Sequence, residues 1–193
     1  TAGDEYTAPV ALARLDSQPG LDIIAADLYT KKVYCVDYKG DALPGWPRQA
    51  ENDFRAAPAA GDLDGNGTNE VIAVDSKGII YAWNANGTEW IDGDNNPATQ
   101  GVFYRTTPAV TFHFQAPTIC DLDDDGVDEI VVGTASDSVW AFNGNKSRVP
   151  GFPVKLNADL AGAICAGDVD GDGRFELFAQ TKGLVGKAYL INH

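Results

Sequence analysis

Apolar residues fall in short runs that come in pairs, each pair followed by polar, glycine-bearing turns. The first pair is IIAAD (23–27) and KVYCVDYKG (32–40), the second VIAV (71–74) and IIYAWNANG (79–87). The third is IVVG (130–133) and VWAFNGN (139–145), the fourth LFAQ (177–180) and KAYLINH (187–193). The runs are rich in Val, Ile, Tyr, Phe and Trp, are bounded by Gly, Asn, Asp and Pro, and show no helical period, so they predict strands.

The pairs belong to one repeated unit. Each unit has an Ala/Pro-rich lead-in, a nine-residue acidic loop, an apolar run, a small turn and an aromatic run. The loops are RLDSQPGLD (14–22), DLDGNGTNE (62–70), DLDDDGVDE (121–129) and DVDGDGRFE (168–176). Their last positions are separated by 48, 59 and 47 residues, which puts an insertion of about 12 residues within 88–115. Repeats of this length, holding about four short strands each, predict an all-β fold of β-propeller blades, four in number. The repeats are placed at about 8–50, 57–105, 116–155 and 162–193 of a single domain. Too few residues follow Glu176 to supply a fourth strand, so the last blade is expected to lack its outer strand, and residues 1–8 are available to fill the gap. Four blades either close a small ring or form a stretch of a larger one. An open strand edge is expected to recruit a second copy or to be continued by a larger parent chain.

The three later loops place oxygen-bearing side chains at positions 1, 3, 5 and 9. These are Asp62, Asp64, Asn66 and Glu70; Asp121, Asp123, Asp125 and Glu129; Asp168, Asp170, Asp172 and Glu176. Position 6 is glycine each time, which permits the sharp bend that lets the carboxylates converge. Thirteen of the chain's 28 acidic residues lie in these loops, and their repulsion calls for a hard divalent cation. Flexible cages of several carboxylates favour Ca²⁺ over Mg²⁺, and about three ions are expected. The main-chain carbonyls of Thr68, Val127 and Arg174, at position 7, complete the expected ligand set. In the first loop Arg14, Gln18 and Pro19 stand where an acid, an acid and the glycine belong, which leaves Asp16 and Asp22 to turn and strand-end roles. Asp92, Asp94 and Asn96 in the insertion imitate half of such a loop. An EF-hand is excluded, because position 12 is Ala73, Val132 or Ala179 inside an apolar run.

The D-x-[DN]-x-[DN]-G-x-x-E loop, the apolar and aromatic strands after it, and the turns ProGlyTrpPro (44–47) and ProGlyPhePro (150–153) resemble the FG-GAP/VCBS repeat. The resemblance covers about residues 8–193. It implies a calcium-stabilised propeller similar to the integrin α-subunit head, used in secreted proteins for adhesion or substrate binding. Similar repeats also occur in secreted polysaccharide lyases and hydrolases, and a subunit of an extracellular surface assembly joined through terminal strands is a further alternative, so the fold leaves activity open.

Charge narrows the partners. The chain carries 14 Lys plus Arg against 28 Asp plus Glu, a formal net charge of −14, and its basic residues are scattered. Nucleic acid and anionic membrane surfaces are therefore disfavoured, and no apolar run approaches the ~20 residues of a membrane span. The chain begins at Thr1 without a targeting segment, which reads as processing or excision. Cys35, Cys120 and Cys165 lie beside apolar residues and are read as buried thiols. With only His113 and His193, a nucleophile–histidine pair is poorly supported, and most close carboxylate pairs are committed to the loops. The expected function is a non-catalytic, calcium-binding module, extracellular, on the cell surface or periplasmic, that binds a protein or a carbohydrate. Trp90, Tyr104 and Phe112 are the candidate stacking platform for that ligand.

Overall fold

The computed structural model describes residues 9–105, 115–134, 137–183 and 186–192. Fifteen strands make four antiparallel sheets, each in simple up-and-down order, and among the described residues there is no helix. Blade 1 holds β1 (Ala11–Ala13), β2 (Asp22–Ala26), β3 (Lys32–Val36) and β4 (Arg48–Gln49). Blade 2 holds β5 (Ala59–Gly61), β6 (Glu70–Val74), β7 (Ile80–Trp83) and β8 (Val102–Tyr104). Blade 3 holds β9 (Thr118–Cys120), β10 (Glu129–Gly133), β11 (Ser138–Phe142) and β12 (Val154–Lys155). Blade 4 has three strands, β13 (Cys165–Gly167), β14 (Glu176–Gln180) and β15 (Ala188–Ile191). No fourth strand of this blade is seen among the described residues. Residues 1–8, the expected filler, lie outside the described residues.

The first strands pack in series, β1 on β5, β5 on β9 and β9 on β13. Because side chains alternate between the two faces of a strand, each blade offers one face to the blade before it and the other to the blade after it. Ile24, Val33 and Cys35 of blade 1 meet Val71, Ala73, Tyr81 and Trp83 of blade 2. Ile72, Val74, Ile80 and Ala82 of blade 2 meet Ile130, Val132 and Phe142 of blade 3. Val131, Val139 and Ala141 of blade 3 meet Leu177 and Ala179 of blade 4. Hence β6, β7 and β10 are buried at every residue, whereas β2 and β3 alternate between buried and half-buried. In β14 and β15 the alternation includes exposed residues.

Two indoles stitch neighbouring blades by reaching equivalent acceptors. Trp46 Nε1 donates to the Ala85 carbonyl at 2.8 Å, and Trp90 Nε1 donates to the Gly144 carbonyl at 2.8 Å. Ala85 and Gly144 hold the same position in the turns after β7 and β11. Gly144 is required there: a Cβ on it would lie 2.0 Å from the Leu63 carbonyl oxygen of the preceding blade. Cys35 and Cys120 are buried, but Cys165 is exposed, which corrects the reading of all three as buried. It lies on the face of blade 4 that turns away from blade 3, where among the described residues no further sheet covers it. No helix of the described residues is long and apolar enough to cross a membrane.

Candidate metal centres

Each acidic loop joins the first strand of a blade to its second, so its geometry is set where the chain leaves one strand and must return antiparallel within nine residues. Positions 4 and 6 both take left-handed backbone: Gly65 and Gly67 at φ 73° and 83°, Asp124 and Gly126 at 62° and 86°, Gly171 and Gly173 at 81° and 94°. The position-6 glycine is legible in the sequence. Position 4 is not, because Asp tolerates that conformation almost as Gly does and hides the requirement in the third loop. Pro19 stands at position 6 of the first loop, where its ring fixes a negative φ, and that loop cannot take the same path.

The bends fold the acids inward. Carboxylate oxygens of Asp62, Asp64 and Glu70 lie within 4.8 Å of one another, as do those of Asp121, Asp123 and Glu129 and those of Asp168, Asp170 and Glu176. Positions 1, 3 and 9 are thus brought together in all three loops. Position 5 serves the backbone: Asn66 Oδ1, Asp125 Oδ1 and Asp172 Oδ1 accept from the N–H of Thr68 (2.7 Å), Val127 (2.9 Å) and Arg174 (2.9 Å). These Asx turns hold position 7 in the loop, the position whose carbonyl was expected to ligate. The position-1 acid braces the bend, with Asp62 Oδ2 accepting from Gly67 N–H at 2.6 Å, Asp121 Oδ2 from Gly126 at 2.9 Å and Asp168 Oδ2 from Gly173 at 3.0 Å.

The position-9 acid is the buried member of each cluster, and one of its oxygens caps the backbone at position 2. Glu70 accepts from Leu63 N–H (3.0 Å), Glu129 from Leu122 (2.7 Å) and Glu176 from Val169 (3.0 Å). In the first loop Asp22 makes the same bond to Leu15 N–H at 2.8 Å, while Asp16 accepts from Gln18 N–H at 2.7 Å. The first loop keeps the capping bond without the clustered acids.

Electrostatics separate the ligands. Burial pushes Glu70 up to about 7; the Leu63 N–H opposes it, and Asp64 and Asp62 add to it. Burial likewise lifts Glu129 to about 7, against the Leu122 N–H and with Asp123, Asp125 and Asp121 reinforcing it. Asp62 feels burial too, but N–H donors from Gly67, Asp64 and Asn66 outweigh it and hold its carboxyl below the ordinary value. Each cluster is thus an all-oxygen set of three carboxylates, and in the two loops that hold Glu70 and Glu129 the buried glutamate resists ionisation. A hard divalent cation suits such a set, because it supplies the positive charge that makes the buried glutamate's ionised form favourable.

The half-loop in the insertion has another fate. Asp94 Oδ2 accepts from Arg105 Nε at 2.8 Å and Asp94 also binds the Thr99 hydroxyl, while Arg105 pairs with Glu51. A guanidinium occupies the place of a cation there. Trp90 is half-buried with its indole spent on Gly144, and Tyr104 packs against Phe142 at 4.7 Å between centroids and against Trp140 at 6.5 Å. Both belong to the contact between blades 2 and 3 rather than to an open platform. Phe112 and His113 lie outside the described residues.

Sequence reasoning missed position 8. Asn69 Nδ2 donates to the Arg14 carbonyl at 3.0 Å, and Asp128 Oδ2 accepts from Asp62 N–H at 2.9 Å. In both, position 8 of one loop holds the backbone of position 1 in the loop before it. The residues there are Leu21, Asn69, Asp128 and Phe175, too varied to show as a motif.

Blades of this build, with an acidic loop after the first strand, define a β-propeller. The model of the FG-GAP-like repeat matches residues 121–179. The chain is 26% identical over 145 residues to the mouse KICSTOR complex protein ITFG2, a match that covers 73% of this chain and 32% of that protein. Among solved structures it resembles BBS1N, crystallised in complex with ARL6DN, at a TM-score of 0.66 and 13% identity over 98% of this chain and 52% of the other. The V. cholerae biofilm matrix protein Bap1 aligns at 0.63 and 16% identity, over 95% of this chain and 26% of Bap1. BamB from Moraxella catarrhalis aligns at 0.55 and 18%, over 95% and 46%. The structural likenesses concern the fold alone. The chain spans about a quarter to a half of the length of these proteins.

Proposed function

We propose that this chain is a non-catalytic binding module whose three acidic loops each hold a calcium ion, and that it acts outside the cytoplasm, where calcium is abundant enough to fill sites of modest affinity. The observation that carries this reading is the triple convergence of a buried glutamate with two aspartates at one register. Calcium acts structurally, because the loops lie at the seams between blades and the loop at 62–70 is tied through position 8 to the loop on either side of it. Asp62, Asp64 and Glu70, Asp121, Asp123 and Glu129, and Asp168, Asp170 and Glu176 would hold the ions, with the carbonyls of Thr68, Val127 and Arg174 as further ligands.

The ligand of the module is a protein in this reading. ITFG2 is named as a member of a complex and BBS1N was crystallised with a partner, which supports such a role by analogy. The ligand site is the cleft of about 360 Å³ on which the lead-ins of all four blades converge, lined by Pro9, Ala57, Ala116 and Ala163 and by two cationic side chains, Arg55 and Lys182. A cleft of this size, with Lys182 at its rim and Arg55 held beside it by Asp53 at 2.8 Å, suits a carboxylate-bearing segment of a partner. Elemental analysis and melting with and without a chelator test the calcium reading: no ion in the purified protein and an unchanged melting temperature would end it. Substituting Arg55 and Lys182 by Glu is expected to abolish capture of acidic peptides while ion content stays the same; unaltered capture would move the site elsewhere.

A further inference from the structure

The three acidic clusters are not equally connected to one another. The loops at 62–70 and 121–129 are in direct contact: Asp62 N–H donates to Asp128 Oδ2 at 2.9 Å, and Asp128 N–H donates to the Asp62 carbonyl at 2.8 Å. A Cβ on Gly65 would lie 3.3 Å from Val127 Cγ2, so position 4 of the earlier loop rests on position 7 of the later one. Asp62 is an acid of one cluster, and Asp128 immediately precedes Glu129, the buried acid of the other. A pair of hydrogen bonds and one peptide link thus lead from cluster to cluster.

The seam between blades 3 and 4 lacks this tie. Position 8 of the last loop is Phe175, whose side chain has no polar atom. Among the described residues no group of that loop accepts from the Asp121 N–H or donates to the Asp121 carbonyl. Strand register explains the difference. Gly61, Cys120 and Gly167 share one position, each paired with the ninth residue of its loop. A Cβ on Gly61 would lie 2.2 Å from Ile119 Cγ2 and 2.6 Å from Asp128 Oδ2, so Asp128 reaches the Asp62 N–H because Gly61 has no side chain. In blade 3 the corresponding space is taken by the buried thiol of Cys120, which packs in the cluster that holds Ala166 and Leu177 of blade 4.

We infer, resting on the calcium occupancy proposed above, that the sites at 62–70 and 121–129 fill cooperatively while the site at 168–176 fills independently of them. An ion in the earlier loop fixes Asp62, and with it the N–H and carbonyl that hold Asp128 at the start of β10. The later loop then loses less conformational freedom on taking its own ion, which is positive coupling without a change of shape. Linkage makes the effect reciprocal, so each ion tightens the other by the same factor. Repulsion between the two ions works in the opposite sense and is screened over about 8 Å at physiological salt. The seam between blades 2 and 3 therefore stiffens over a narrow range of calcium concentration, and blade 4 responds on its own.

Calorimetric calcium titration of the full chain at physiological salt tests this, with Asp64→Ala, Asp123→Ala and Asp170→Ala used singly and in pairs to leave chosen sites intact. Asp170→Ala keeps the sites at 62–70 and 121–129, and each should bind about 5-fold or more tightly with the other filled than in the chain that keeps it alone. Asp64→Ala keeps the sites at 121–129 and 168–176, which should bind as they do singly. Adding Asp128→Ala to Asp170→Ala should abolish the coupling, whereas Asp128→Asn, which retains an acceptor oxygen, should preserve most of it. Loss in both variants overturns the hydrogen-bonded tie as the cause. Three independent affinities, or equal coupling in the two pairs, overturns the inference while leaving calcium binding intact. A chain that takes up no calcium overturns the occupancy itself and the coupling with it.

Discussion

Asp62 and Asp128 are joined twice across the seam between the second and third blades: Asp62 N–H donates to Asp128 Oδ2 at 2.9 Å, and Asp128 N–H donates to the Asp62 carbonyl at 2.8 Å. One of these residues is a cluster acid and the other belongs to the neighbouring loop, so the order of one loop is transmitted to the next. Asp128→Ala leaves the half-buried Asp62 N–H without its acceptor and is expected to cost roughly 1–3 kcal/mol, measured by denaturant unfolding. Asp128→Asn retains an acceptor oxygen and should cost less. Equal losses in the two variants would show that the bond is not the source of the effect.

Ion content should follow the buried glutamates. Glu129→Gln keeps an oxygen for the Leu122 N–H but removes a negative ligand, so bound calcium should fall from about three ions to two. A site saturated at one hundred times its dissociation constant stabilises the fold by about 2.7 kcal/mol, which sets the scale of the expected drop in stability. Elemental analysis alongside calcium-dependent melting reads both quantities. Retention of the full ion count in Glu129→Gln would remove this residue from the ligand set.

Acid should act in opposite directions with and without the ion. The folded-state values of Glu70 and Glu129 are raised to about 7 from an unfolded value near 4.5, so the metal-free fold binds more protons than the unfolded chain between those limits. Stability in chelator should therefore fall as pH rises from 4.5 to 7. With calcium bound the glutamates are ionised ligands, and acidification through the same window should expel the ion and lower stability. Melting curves at pH 5 and pH 7, in calcium and in chelator, check the crossing. Parallel pH trends in the two conditions would contradict it.

Much of this was legible from the residues because a repeat states its rule several times. The four blades and their acidic loops follow from spacing alone. What stayed hidden depends on partners distant in sequence. Leu43, Trp90 and Val149 occupy the same place after the aromatic strand, each donating its N–H to that strand (Leu43 to the Cys35 carbonyl, Trp90 to Ala82 and Val149 to Ala141). Only the structure shows that the Trp90 indole then does for blade 2 what Trp46 does for blade 1. Asp94 looked like a loop acid because its natural counter-charge, Arg105, comes eleven residues later. Cys165 has apolar neighbours in the sequence like the other cysteines, but its exposure is decided by its place at the end of the stack.

The indole bond predicts its own graded test. Trp90→Phe keeps most of the buried ring and loses the donor to Gly144, for an expected cost of about 1 kcal/mol. Trp90→Ala also opens a cavity between blades 2 and 3 and should cost about 3–5 kcal/mol. Thermal and denaturant unfolding check both. Were Trp90→Ala neutral for stability but destructive for carbohydrate binding, the ring would belong to a ligand site after all.

The carboxylate at the ninth place of the three clustered loops has two oxygen atoms and two separate duties, one toward the peptide N–H seven residues earlier and one toward the cluster. Asp22 shows that the first duty survives when the second is gone, with the Leu15 bond intact in a loop that has lost its aspartate partners and its glycine. Selection on shape and selection on chemistry are thereby uncoupled at a single side chain. A blade in such an array can therefore stand in rank with its neighbours without a full set of clustered acids.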